Sequence, residues 1–222
     1  MKAVLFDFNG TLYDDSRLHA AAWKRFIWNR FGLDYSESEI FRTFIGPSNA
    51  SIFRKLLGET LDPALIRQYS QEKEEVYRSI ARSCPENLRL IEGAEALFDE
   101  LARKGVPFTI ATSSIHENVR FYLEELGLKR WLKEDLIVSE SSGLPHKPDP
   151  AYFLEAARRL NVSVQDCLIV EDSKTGIEAA VRAGAWRIVA MDRSLSGEWL
   201  AQHPLIYTVI HDYLDFHRWI EI

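Results

Sequence analysis

The sequence predicts an α/β protein: a Rossmann-like, doubly wound parallel sheet core with an inserted α-helical cap domain. Three observations carry this reading. Short apolar runs of strand length alternate with helical stripes over most of the chain. The segments between those runs are long enough for crossovers, which parallel strands require. Finally, one long block after the first run stays helical and holds no convincing strand, so it reads as an insertion. Residues 1–15 and 85–222 are assigned to the core and residues 16–84 to the cap.

With 222 residues, the chain is long enough to bury about 70% of the surface that its unfolded form exposes. A composition of 46% hydrophobic and 27% charged residues excludes a disordered polyelectrolyte. The net charge of -6 argues against a nucleic-acid footprint and leaves small molecules as the expected partners. No apolar stretch approaches the ~18 residues of a membrane span, so no membrane partner is expected. Cys84 and Cys167 form no C-x-x-C pair and no apolar h-region opens the sequence, which points to reduced thiols in a cytoplasm. A monomer or weak homodimer is expected.

The first strand is Val4 to Phe6. It delivers Asp7 to its C-terminal end before the chain breaks at Gly10. Ser16 to Phe31 is a helix with Ser16 as cap and Gly32 as stop. Three further apolar stripes, around Ile40, Ile52 and Ile66, continue the helical block to about Ser83, with Trp23 and Trp28 assigned to its packing. Glu92 to Lys104 is a helix ended by Gly105, and Pro107 to Ala111 is the second strand, closing in Thr112-Ser113-Ser114. Val119 to Leu126 is helical, Leu136 to Val138 is a third strand, and a polar loop follows. Asp149-Pro150 opens another helix. Leu168 to Val170 is the fourth strand and ends in Glu171-Asp172-Ser173. Thr175 to Ala183 is a helix stopped by Gly184, and Arg187 to Met191 is the fifth strand. Tyr207 to Ile210 adds an edge strand and Tyr213 to Ile220 a terminal helix.

Parallel strands bring Asp7, Thr112, the loop carrying Lys147, and Glu171-Asp172 to one edge, where ligands bind in open α/β sheets. Any one of these alone reads as a cap, a turn or a solvated charge. Together, three converging carboxylates resist ionisation unless a cation offsets them. Mg²⁺ suits a few carboxylates plus a substrate phosphate. Lys147 and Thr112, with the N-terminus of the following helix, are then placed to hold the phosphate. Asp7 becomes a candidate covalent nucleophile.

Asp7-Phe8-Asn9-Gly10-Thr11, Thr112, Lys147-Pro148, and Glu171-Asp172-Ser173 with Gly176-Ile177 resemble the four ordered motifs of the haloacid dehalogenase superfamily. More narrowly, they resemble its phosphatase and β-phosphoglucomutase-like branch with a helical cap, over essentially the whole chain to Met191. The resemblance implies a Mg²⁺-dependent phosphoric monoester hydrolase that passes through an aspartyl phosphate on a small phosphorylated metabolite. It implies Asp7 as nucleophile and metal ligand, Asp172 and Glu171 as further ligands, and Asn9 as a ligand through its backbone carbonyl. It places Thr112 and Lys147 on the phosphoryl group and extends that anion site to Ser113 and Asn118. Substrate choice is implied for the cap loop Gly46-Pro47-Ser48-Asn49.

Two positions depart from the family pattern. Asn9 stands where the phosphatases and mutases usually carry an Asp acid/base, and an amide cannot move a proton; Asp14, Asp15, His19, His116 and His146 are the substitutes in sequence reach. Asn49 stands where sugar-phosphate mutases carry an Arg. A catalytically weak phosphate-binding or regulatory protein is therefore the first alternative. A phosphotransferase, a halide-cleaving relative, or a phosphonate-cleaving one with Lys24 or Lys55 as its imine-forming lysine, is the second.

Overall fold

The computed structural model describes residues 1–193 and 203–218. The chain divides into two compact units, Met1–Asp14 with Arg89–Ile222, and Asp15–Leu88.

In the first unit, five described strands form one parallel sheet in the order β2-β1-β3-β4-β5. They are β1 (Ala3–Phe6), β2 (Phe108–Ile110), β3 (Cys167–Glu171), β4 (Arg187–Met191) and β5 (Thr208–Ile210). β1 and β3 have no exposed residue, as expected of strands covered on both faces. Their apolar side chains pack against Tyr152, Phe153 and Ala156 of a helix over Ala151–Arg159 and against Ile177, Ala179 and Ala180 of a helix over Lys174–Ala183. This strand order reverses direction between β1 and β3, the crevice where such sheets bind ligands. Phe6 lies opposite both Ile110 and Val170, so β1 and β2 end level and β3 runs one residue further, to Glu171.

Two expected elements differ. Leu136 to Val138 is not a full strand: Leu136 closes a 3-10 turn over Glu134–Leu136. Only Val138 remains to form an isolated parallel bridge with Ala111 beside β2. In the tail, the described residues contain a 3-10 turn at Phe216–Arg218 rather than a helix from Tyr213. Tyr213 and Phe216 are both buried, and the Phe216 N–H donates to the Tyr213 carbonyl at 3.2 Å. The last two residues of that expected helix, and residues 194–202, lie outside the described set.

The second unit is helical: α1 (Ser16–Phe31), α2 (Glu37–Phe44), α3 (Asn49–Leu57) and α4 (Pro63–Ser83). Gly32 ends α1 with φ of 66°. Ser36 opens α2 in a reciprocal capping box with Glu39. Ser16 is not the cap of α1, because Asp15 holds that position and its carboxylate accepts from the Tyr77 hydroxyl at 2.6 Å. Trp23 packs against Phe44 and Phe53 at centroid distances of 5.4 and 5.3 Å. Trp28, expected in the same core, is 58% exposed. It follows Trp23 by five residues, which turns it off the stripe of Trp23, Phe26 and Ile27.

Among the described residues, the α-helices of the first unit are α5 (Ala94–Arg103), α6 (His116–Glu125), α7 (Ala151–Arg159) and α8 (Lys174–Ala183). Cys167 opens β3, and burial pushes its thiol up to about 11, which suits a packing role.

Candidate active site

Asp7 follows the last residue of β1, and its N–H donates to the Val170 carbonyl of β3 at 3.0 Å. That bond carries the ladder one residue past the apolar strand and fixes a carboxylate at the switch point. Lys147 reaches the same place from the loop before α7. Its Nζ lies 2.6 Å from Asp7 Oδ1 and 2.9 Å from Glu171 Oε1, and 4.7 Å from the centre of the Phe153 ring. All three groups are buried, with side-chain exposures of 6%, 11% and 1% for Lys147, Asp7 and Glu171.

Glu171 is held from its other oxygen as well. The Ser173 N–H and hydroxyl donate to its Oε2 at 2.6 and 3.0 Å, and Ser173 Oγ accepts from the Gly176 N–H to cap α8. Asp172 receives the Thr11 hydroxyl at 3.1 Å. Two glycines make room for the carboxylates: a Cβ on Gly10 would collide with Asp172, and one on Gly176 would collide with Glu171.

Burial pushes the Asp7 carboxyl up; the Lys147 ammonium opposes that shift and the Glu171 charge adds to it. For Lys147, burial acts downward, but the charges of Asp7 and Glu171 outweigh it and the ammonium is raised. Asp172 is held well above the usual carboxylate range by burial and by the charges of Glu171 and Asp7. One ammonium thus faces three carboxylates that lie within reach of a common centre, with one oxygen from each of Asp7, Glu171 and Asp172 within 4.8 Å of the others. An all-oxygen, under-compensated cluster is the donor set of a hard divalent cation. The residues present therefore fit the metal that the resemblance implies.

Thr112 sits at the end of β2, 1% exposed, and its Oγ1 accepts from the Ser114 N–H at 3.1 Å. The following helix does not begin at once: α6 starts at His116, with Ile115 in the cap position. Ser113 is exposed, whereas Asn118 is buried in the first turn of α6. Asn9 does not stand as an isolated polar residue. Its Nδ2 donates to the Tyr122 hydroxyl at 2.9 Å and its Oδ1 accepts from the Ser114 hydroxyl at 2.7 Å. Tyr122 in turn stacks on Phe8 at 4.2 Å.

Ser114, Tyr122 and Tyr213 are the residues that sequence reasoning missed here. Tyr213, from the tail, donates to the Thr11 carbonyl at 2.8 Å. Burial, with the charges of Asp7 and Asp172, raises its phenol well above the usual value. Of the nearby polar residues in this unit, Asp14 pairs with Arg193 at 3.6 Å, His116 pairs with Glu134 at 3.3 Å, and His146 stacks on Tyr152.

In the helical unit, Gly46 has φ of 103° and Pro47 is exposed. Ser48 caps α3 by accepting from the Ser51 N–H. Asn49 donates to Glu74 Oε1 at 2.8 Å. Glu74 also takes the Lys73 ammonium at 2.7 Å, and Lys73 lies 2.7 Å from His19 Nδ1. Burial lowers Lys73 despite Glu74. Glu74 goes the other way: burial alone would raise it, but Lys73, His19 and the Asn49 bond bring it down to about 2. In the sequence this pair hides within the charged run Gln71-Glu72-Lys73-Glu74-Glu75, which looks like a solvated face. Lys24 and Lys55 are both exposed.

A family model described as haloacid dehalogenase-like hydrolase matches residues 1–184. The 6-phosphogluconate phosphatase of Escherichia coli is 28% identical over 189 residues, covering 83% of this chain and 80% of the relative. The phosphorylated carbohydrates phosphatase of Thermotoga maritima is 29% identical over 197 residues, covering 88% of each. Among solved structures, a HAD hydrolase of family IA, variant 3, from Entamoeba histolytica superposes with a TM-score of 0.88 at 34% identity, over 96% of this chain and 94% of that one.

Proposed function

The chain belongs to the haloacid dehalogenase-like hydrolases, and from that premise we propose that it is a Mg²⁺-dependent phosphatase of small phosphorylated carbohydrates, slowed by Asn9. The observation that carries the reading is the buried Asp7 carboxylate at the switch point, 2.6 Å from the Lys147 ammonium and beside Glu171 and Asp172. The relatives named for phosphorylated carbohydrates support the substrate class.

In this reading an Asp7 oxygen attacks phosphorus while the bond from phosphorus to the leaving alcohol breaks. The phosphoryl group passes to Asp7, and water then releases it as inorganic phosphate. Lys147 and Thr112 hold the phosphoryl oxygens, and Lys147 opposes the burial that raises the Asp7 carboxyl. Ser113 and Asn118 complete the anion site. Asp7, Asp172, Glu171 and the Asn9 backbone carbonyl would hold the cation, which neutralises the phosphoryl charge when bound. The helical unit acts as the cap, with Gly46, Pro47, Ser48 and Asn49 as its specificity loop. Asn49, engaged with Glu74, offers no cation for a second phosphate and so speaks against a mutase.

The alternative, a phosphate-binding protein with little turnover, is favoured by one observation: the Asn9 amide can neither protonate the leaving alcohol nor accept a proton from water. Loss of such a group costs about 10²- to 10⁴-fold in rate. Assay of sugar phosphates with Mg²⁺ decides between the readings. Asn9→Asp is expected to raise turnover by at least about tenfold, and Asp7→Ala to abolish it. Unchanged activity in Asn9→Asp, with Asp7→Ala dead, would show that another residue moves the proton. No turnover in either chain, with phosphate still bound, would establish the binding protein.

A further inference from the structure

Asn9 is the only one of the six asparagines followed by glycine; the others precede Arg30, Ala50, Leu88, Val119 and Val162. An asparagine side chain is attacked most easily by the backbone nitrogen of a following glycine, because no Cβ obstructs the approach. Here the glycine is not optional. Gly10 has φ of 83°, and any Cβ at this position would run into the Asp172 carboxylate. The close approach that the acidic cluster requires thus leaves a chemically labile dipeptide beside Asp7.

The folded loop restrains that chemistry at both reacting ends. The Gly10 N–H, which must lose its proton to become the nucleophile, donates to the Tyr13 carbonyl at 2.8 Å. The Asn9 carboxamide, whose Cγ must swing onto that nitrogen, is fixed through Nδ2 to Tyr122 and through Oδ1 to Ser114. The Thr11, Leu12 and Tyr13 N–H groups all donate to the Phe8 carbonyl at 3.2, 2.8 and 3.1 Å, which closes the turn around the dipeptide.

We propose that Asn9-Gly10 is a deamidation site that the folded loop holds shut, and that its opening installs an aspartate at position 9. In the reaction, the Gly10 nitrogen forms a bond to Asn9 Cγ, the Cγ–Nδ2 bond breaks, and the Gly10 proton leaves with the amide as ammonia. Water then opens the resulting succinimide, giving aspartate or isoaspartate. The net change is amide plus water to carboxylic acid plus ammonia. Resting on the phosphatase reading, the consequence is that a chain aged while unfolded and then refolded gains the carboxyl that the folded, newly made chain lacks.

The test incubates the protein at mildly alkaline pH, folded and in urea, and maps the peptide containing Asn9 by mass spectrometry with isoaspartate resolved by chromatography. The unfolded chain is expected to convert, and the folded chain to convert at least about tenfold more slowly, since reaction then waits on local opening. Tyr122→Phe and Ser114→Ala, each releasing one end of the amide, should convert faster than the parent while folded. Equal rates in folded and unfolded chain, or an unfolded chain that stays intact, would overturn the proposal. The aged and refolded protein should gain phosphatase activity in proportion to its aspartate content, and Asn9→Gln, aged alike, should gain none. If the directly made Asn9→Asp is itself inactive, the phosphatase reading fails while the mass result still decides the modification.

Discussion

Glu171 shows how much of the site rests on single side chains: Ser173 and Lys147 grip both of its oxygens, and Gly176 leaves the space it occupies. A flexible carboxylate would swing aside from an added methyl group, but this one is 1% exposed and bonded on both oxygens. Gly176→Ala is therefore expected to cost about 1 to 3 kcal/mol of stability, read from chemical denaturation; a cost within error would show that Glu171 can relocate. The same residues show what was legible. Asp7, Glu171 and Asp172 stood out because polar groups close apolar runs, and parallel topology forces such ends, with the loop carrying Lys147, to one edge. Ser114 and Tyr122 did not, because their bonds to Asn9 span 105 and 113 positions and nothing local marks them. Thr112 and Ser113 look alike in sequence, yet one is buried and the other exposed.

At the scale of elements, α8 begins where the acidic strand end stops, and Ser173 serves both. Ser173→Ala removes the cap on the Gly176 N–H and one donor to Glu171. It should cost about 1 kcal/mol from the cap and more from Glu171, seen as a lower denaturant midpoint at unchanged slope. In α4 the buried Lys73–Glu74 pair predicts an acid-sensitive helical unit. Glu74 is held at about 2 against an ordinary 4.5, so its stabilisation is complete above about 4.5 and is lost as pH falls toward 2. Glu74→Gln leaves Lys73 without its carboxylate and should cost about 3 to 5 kcal/mol near neutral pH, with the gap to the parent narrowing through that acid window. A gap independent of pH would mean that Glu74 is not ionised in the fold. Helices of this unit were legible from their stripes, but the Lys73–Glu74 pair was not, since periodicity reports apolar faces and is silent on buried charge. Leu136 to Val138 misled for a related reason: three apolar residues are too few to tell a strand from a turn that ends beside one.

For the whole molecule, the sheet order places Asp7 from one end of the chain and Glu171-Asp172 from the other around one point, so the cluster exists only when the first unit is folded. Unfolding scatters those carboxylates and lets each return to water. A cation held by the cluster therefore binds the native state and not the unfolded one, and stabilises it by RT ln(1 + [L]/Kd), about 2.7 kcal/mol at a hundredfold excess over Kd. Burial, with repulsion among the carboxylates, raises Asp7 and Asp172, and the relief of that penalty is already contained in Kd. Saturating Mg²⁺ should raise the thermal midpoint of the parent chain by several degrees, about 2 to 4 °C per kcal/mol at this size, and EDTA should reverse it. Asp172→Asn should abolish the gain, whereas Asn9→Asp should keep it, because the ligand proposed at position 9 is the backbone carbonyl, which the side-chain change leaves in place. The measurement uses no substrate and so is independent of turnover. A midpoint indifferent to Mg²⁺, or a shift that survives Asp172→Asn, would place the cation elsewhere and leave Lys147 alone to balance the cluster.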